Sequence, residues 1–355
     1  MSTDRYVRRW RDREYMKKCF IVCWLGKIPD YFQIWVKSCA FNPEFDFLIF
    51  TNCGLETELP ENVKWISFSK EEFLKRARKS IDAKAKLWCP YSICSYRPMY
   101  GLIFQDELAT YDFWGYCDID VVFGRIAKFI SDKELEEIDA VFNAGHFTLL
   151  RNNNEMNHLF QRKGAIFSYK TVIRRNAIFA FDETTGIQRI ARKNGINARF
   201  GIRYVEADTK YTQIRSRTEK INPDEQAYFW EDGSLFRVKV EQDVCFHQEF
   251  AYIHLQKRRN DILDGDVVDE KSFWITPYGF RTKRTTGFPI RKEILKFNPF
   301  PGRQVMQSEA REYKRRKIIS ILKRNPYQIY VRVRQEFAGI NRGDANQEEF
   351  EWIKC

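Results

Sequence analysis

Residues 113–120 read Phe-Trp-Gly-Tyr-Cys-Asp-Ile-Asp, an apolar and aromatic run that stops at two carboxylates one residue apart, Asp118 and Asp120. Aromatic residues favour strands, and side chains two apart in a strand share a face. The run therefore predicts a buried strand that presents both aspartates on one side of its carboxyl end. Oxygen ligands so placed suit a hard divalent cation, and such an ion could clamp a diphosphate. Asp-x-Asp is a common spelling, and the chain carries a second copy at Asp264-Gly265-Asp266. Context separates them: the second lies in the polar stretch 259–271, which reads as a loop.

Upstream, Phe20 to Leu25 is a continuous apolar run, followed by Gly26-Lys27-Ile28-Pro29-Asp30 and an amphipathic stretch to about Ala40. That is strand, tight loop, helix. Phe45 to Phe50 makes a second strand ending in Thr51-Asn52, and Val63 to Phe68 a third. Ser69-Lys70-Glu71-Glu72 then opens a charged helix reaching Ser80. The alternation predicts an α/β fold with a doubly wound, mostly parallel sheet covered on both faces. Such sheets bind ligands at the carboxyl ends of their strands, where Gly26, Lys27, Thr51, Asn52 and the aspartate pair all fall. A helix over 90–107, broken near Pro98, brings Tyr96 and Arg97 just ahead of the acidic strand. A guanidinium there suits a phosphate, with a side chain simply solvated at the surface as the alternative.

Downstream, the pattern predicts a short helix over 125–130, strands at 140–142 and 148–150, and helix over 154–162. Phe179-Ala180-Phe181-Asp182-Glu183 is another apolar run that delivers carboxylates to an edge, with a helix cap or a surface turn as the plainer account. Glu231-Asp232-Gly233-Ser234 between aromatic and branched runs signals a hairpin. His254 follows Phe250-Ala251-Tyr252-Ile253 and precedes Lys257-Arg258-Arg259. A lone histidine after a strand is usually structural, but an imidazole completing a metal site, with Lys257 facing a phosphate, accounts for that juxtaposition.

With 44% hydrophobic residues and thirty Phe in 355, the chain can bury a substantial core. It shows no run of membrane-spanning length, and its first eighteen residues are too charged for a secretory signal, so a cytoplasmic location is expected. The nine cysteines sit mostly in apolar stretches and read as reduced core thiols. The net charge of +12 is concentrated between Arg281 and Gln335, where sixteen Lys or Arg face three Glu. The expected organisation is a basic leader (1–18), a catalytic domain (19–278) and a basic, mainly helical C-terminal extension (279–355). Residues 312–324 mix cations with a short apolar face, which suits an anionic membrane surface and peripheral attachment at the inner face of the cell membrane. A solvated helix packed on the domain is the alternative. A nucleic-acid-binding protein competes on the strength of the same charge, but no helix-turn-helix, zinc-finger or RNA-recognition pattern accompanies it, and no nucleic-acid partner is expected. A metal-dependent phosphohydrolase using Asp118 is the other competing class.

The segments Gly26-Lys27-Ile28-Pro29-Asp30-Tyr31-Phe32, Tyr96-Arg97-Pro98-Met99-Tyr100-Gly101, 113–120, Gly145-His146-Phe147-Thr148-Leu149-Leu150-Arg151-Asn152, Phe181-Asp182-Glu183 and Tyr252-Ile253-His254-Leu255-Gln256-Lys257 resemble, in this order, a family of bacterial GT-A-type glycosyltransferases that occur with capsule and O-antigen polysaccharide biosynthesis. The resemblance spans about residues 18–260. It implies a nucleotide-sugar donor, a UDP-sugar first among them, a glycan or lipid-linked acceptor, and Mn²⁺ or Mg²⁺ at the Asp-x-Asp. By the same resemblance Asp118 and Asp120 contact ribose and metal, with Asp120 the more direct ligand, and His254 completes the site. The chain departs from the family pattern at Ser92 and Ser95, where Lys and Asp are usual, and at Arg97, where Lys is common. If transfer inverts the anomeric centre, a carboxylate must take the acceptor's proton, and Asp182 or Glu183 is the candidate. Trp114, Tyr116, Phe147 and Trp230 are available for stacking on sugar or base, with core packing as their default use.

Overall fold

Lys18–Trp24 (β1) is the spine of the molecule: it pairs in parallel with Phe45–Thr51 (β2) on one side and with Phe113–Cys117 (β4) on the other. The computed structural model describes residues 16–54, 58–256, 258, 260–285, 287–338 and 351–355. Most of the leader, and Lys257 with its expected phosphate contact, lie outside them. Val63–Ser67 (β3) extends the sheet in parallel beyond β2, while Phe147–Arg151 (β7), Ala140–Asn143 (β6) and Ala198–Phe200 (β8) complete it beyond β4, in the order β3-β2-β1-β4-β7-β6-β8. Strand alternation feeds two cores. Cys19, Ile21, Trp114 and Tyr116 face one layer of helices, and Phe20, Val22, Phe113 and Cys117 face the other. Helix Phe32–Ala40 (α1) closes the second face with Phe32, Trp35 and Val36. Lys70–Ser80 (α2), capped by Ser69 accepting from the Glu72 amide, closes the first with Phe73 and Ala77.

The expectation of a mostly parallel sheet is corrected: the sheets are mixed. Even in the first, β7 runs antiparallel to β4 and β6. A second seven-stranded sheet comprises Gln226–Glu231 (β10), Ser234–Glu241 (β11), Val244–Phe250 (β12), Asp261–Ile262 (β14), Ser272–Thr276 (β15), Gly279–Thr282 (β16) and Ile353–Lys354 (β17). It is antiparallel except where β14 meets β16. The reason is local. β10 and β11 are joined by Asp232-Gly233 with φ of 45° and 88°, a two-residue turn whose left-handed backbone suits Gly and Asp and reverses the chain at once. The hairpin signal in the sequence thus sits at a real hairpin. β16 falls within the segment 279–355, and the helices Arg291–Phe297 (α3), Arg303–Leu322 (α4) and Pro326–Phe337 (α5) follow it as a basic helical extension.

A third sheet is small and decisive for the site. Val121–Phe123 (β5) pairs antiparallel with Tyr252–His254 (β13), which runs parallel to Tyr204–Glu206 (β9). The residues between β4 and β5 are Asp118, Ile119 and Asp120. The Asp-x-Asp is therefore a corner at which the chain leaves the first sheet for the third. Ile119 is buried in the second core and pins that corner, leaving the aspartates half-buried.

Candidate metal centre

Register brings the chemistry together. His254 lies opposite Val121 on one side and Glu206 on the other, and the Leu255 amide donates to the Asp120 carbonyl at 2.9 Å, so the β13 end and the acidic corner are stitched side by side. His254 Nε2 stands 3.4 Å from Asp120 Oδ1 and 3.7 Å from Asp118 Oδ2. The ligand atoms of Asp118, Asp120 and His254 lie within 4.8 Å of one another. The other imidazole nitrogen, Nδ1, is 2.9 Å from Glu206 Oε2. With Nδ1 held to Glu206, a cation that displaced the Nε2 proton would meet the Nε2 lone pair on the side of the aspartates, which is the carboxylate–histidine arrangement that orients a metal ligand. Two carboxylates and an imidazole so placed could coordinate a divalent cation.

Behind His254 sits a layer the sequence did not disclose. His146 stacks on His254 with ring centroids 4.1 Å apart, its Nδ1 is 3.0 Å from the Tyr252 hydroxyl, and its Nε2 is 3.1 Å from Glu206 Oε2, though off the line of a good hydrogen bond. His146, Glu206 and His254 form a second, fully buried group with metal-ligand geometry. Arg217 Nη2 (3.2 Å) and the Gln256 amide also reach Glu206 Oε1. Burial alone would raise the Glu206 carboxyl, but His146 and His254 outweigh it and hold Glu206 well below the usual range. Burial would likewise lower His254, yet its hydrogen bonds to Asp120 and Glu206 raise it well above an ordinary histidine. His146 is lowered, first by burial and then by His254. His146 was within reach of sequence reading as part of the quoted 145–152 segment. Glu206, on a three-residue strand, offered no signal.

Arg97 occupies the other side. Its guanidinium pairs with Asp118 Oδ1, lies 3.1 Å from Asp182 Oδ2 and donates to the Gly145 carbonyl at 2.8 Å. It is thus engaged between two carboxylates rather than directed outward to a phosphate. Burial would raise Asp118, but Arg97, His254 and His146 keep it below the usual carboxylate range. Asp182 goes the other way: burial, with Glu183 and Asp118 nearby, outweighs Arg97 and pushes it up to about 7. Asp182 and Glu183 lie on a turn, not at a strand end, and both pack against Gly145, where an added Cβ would come within 2.7 Å of Glu183 Cγ. Glu183 is the less buried of the two.

The other expected donor contacts divide. The Gly26 amide donates to Asn52 Oδ1 at 3.0 Å and Thr51 Oγ1 accepts from the Cys53 amide, so the loops after β1 and β2 are tied together at one edge. Lys27 is exposed and 3.6 Å from Asp30. Tyr96, expected at the donor, is instead a core residue whose hydroxyl donates to the Lys86 carbonyl at 2.6 Å. Trp114, Tyr116, Phe147 and Trp230 are all buried in the core. The second Asp-x-Asp is spent on structure: Asp264 takes the Thr282 amide and Arg281, and Asp266 takes the Thr282 hydroxyl and Arg284. A surface concavity of about 440 Å³ is lined by Asn154, Glu155, His158, Gln161 and Arg162, and by none of the clustered side chains.

Fold and site together define an α/β protein with clustered His, Asp and Glu side chains able to chelate a divalent cation, as a metal-dependent enzyme requires. The chain belongs to the family of unknown function DUF6625, whose model matches residues 20–284. No curated protein and no solved structure matches it.

Proposed function

We propose that the protein is a metal-dependent glycosyltransferase of the GT-A type, moving a sugar from a nucleotide-sugar donor to a glycan or lipid-linked acceptor in surface polysaccharide synthesis. The observation that carries the reading is the convergence of Asp118 and Asp120, at the end of a central strand, with His254 from a distant one. A divalent cation held by these side chains would supply Lewis-acid neutralisation of the departing diphosphate. The protein's own groups do the rest. Glu206 and His146 fix the His254 ring and Arg97 fixes Asp118; for an inverting transfer Asp182 or Glu183 would take the acceptor's proton, and Asp182, pushed up to about 7, is matched to that task. The tied loops at Gly26 and Asn52 line the same carboxyl edge, where a nucleotide would lie.

Thermal-shift screening of UDP-, GDP- and CMP-type ligands with and without Mn²⁺ tests the donor class. Stabilisation by one nucleotide class, larger with the metal, is the expected result. Incubation with the matching sugar nucleotide should release nucleoside diphosphate, and Asp120→Ala should reduce that release by about 100-fold or more, the scale on which a lost charge-stabilising group acts. Release of inorganic phosphate instead would make the protein a phosphohydrolase, and near wild-type turnover by Asp120→Ala would remove the cluster from the chemistry.

A further inference from the structure

Helix α4 differs from the other helices among the described residues. None of its residues is buried, and Lys314, Arg315, Arg316, Lys317, Ile318, Ile319 and Ser320 are exposed in succession, on all sides of the helix. Ile318 and Leu322 are 59% and 74% exposed, and being four residues apart they share a face. Side by side at the helix end, they form an apolar tip open to solvent beside the cations. Between Arg303 and Arg324 eight Lys or Arg face only Glu309 and Glu312, and Glu312 takes up Arg315 and Arg316.

We infer that α4 is a docking arm for an anionic bilayer surface, and that its fixed ends set the orientation of the candidate metal centre above that surface. The cations match acidic headgroups, and the Ile318/Leu322 tip can enter the headgroup boundary to a shallow depth. A nucleic-acid phosphate backbone would satisfy the charges but offer nothing to the apolar tip. Among the described residues, no helix is long and apolar enough to cross a membrane, so the association is peripheral. The arm is also built into the site's frame at both ends. Near its start Glu309 accepts from the Thr212 amide at 3.3 Å and from its hydroxyl, on the loop that follows Glu206. Beyond its end, α5 buries Val331 in the first core. Gln328 pairs with both backbone groups of Ile178 at 3.0 and 3.1 Å, and Gln335 reaches the Phe179 carbonyl. Segment 178–185 carries Asp182 and Glu183, so the arm joins the two sides of the site. This inference stands apart from the transferase reading and does not need it.

Co-sedimentation of the full chain with phosphatidylcholine vesicles, with and without phosphatidylglycerol, tests it. The protein should bind only the anionic vesicles and be released by salt. Each cation near a charged surface contributes roughly a five-fold change in partitioning, so Lys314→Ala with Lys317→Ala should weaken binding by about 25-fold. Ile318→Ser with Leu322→Ser should also weaken it, at unchanged salt dependence. All four positions are exposed, and an unchanged circular dichroism melt keeps the variants interpretable. Equal binding to both vesicle types, indifference to all four substitutions, or tighter binding to duplex DNA or RNA through the same residues would overturn the assignment.

Discussion

Asp182 holds a buried carboxyl whose proton affinity is tuned by three neighbours, and its consequences can be read in two measurements. Burial, Glu183 and Asp118 raise it and Arg97 opposes them, with a net value of about 7. Below that pH the group takes up a proton, loses its charge toward Arg97 and can no longer accept one. Activity should therefore fall as pH drops through about 7, and Asp182→Asn should lower turnover by about 10- to 100-fold and flatten that limb of the profile. An unchanged acidic limb in Asp182→Asn would remove Asp182 from the reaction. Stability follows the opposite sign. The folded value lies above that of an unfolded carboxyl, so folding favours the protonated form. That contribution is complete below about pH 4 and is lost as pH rises through about 7. Denaturant unfolding of Asp182→Asn should accordingly show a weaker loss of stability than wild type between those values.

At the scale of elements, β4 shows how a strand can be specified by what it omits. Gly115 sits in mid-strand, and a Cβ built there would lie 2.0 Å from the Thr148 carbonyl and 3.1 Å from the Phe20 ring. Glycine is required by the close approach of β7, not by a turn. Gly115→Ala should cost about 3 kcal/mol, seen as a lower midpoint of denaturant unfolding, because backbone cannot yield as a side chain does. Much of this level was legible in advance. The run 113–117 announced a buried strand, Asp118 and Asp120 announced its acidic end, and Asp232-Gly233 announced a hairpin. What stayed hidden was pairing at a distance. β9 and β13 have three residues each, too few for a period to show, and only their parallel register places Glu206 beside His254. Arg97 looked outward in sequence because nothing in its own helix reveals Asp118 and Asp182 closing on it from two other segments. Tyr96 stood next to it in the chain and yet packs into the core, as neighbours on a helix commonly diverge.

Across the whole molecule, the acidic corner belongs to the junction of the first and third sheets, whereas His254 and Glu206 belong to the third. A cation bound by Asp118, Asp120 and His254 would thus tie strands drawn from distant parts of the chain, and binding that occurs only in the folded state must stabilise it. With Mn²⁺ at about 100 times its dissociation constant the gain is about 2.7 kcal/mol. For a chain of this size that is roughly 4 °C in Tm. A chelator should reverse the shift, and Asp120→Ala should abolish it without touching the core, since Asp120 is only half-buried. Glu206→Gln is the sharper variant. It leaves all three proposed ligands in place and removes the charge that orients the His254 ring and also pairs with Arg217, so the Mn²⁺ concentration needed for half the shift should rise about 10- to 100-fold. Such a displacement, with the maximal shift recovered at high Mn²⁺, would separate an orienting role for Glu206 from simple damage to the fold, which would lower Tm at every metal concentration. A Tm indifferent to Mn²⁺ in the unaltered protein would end the case for a cation at this corner.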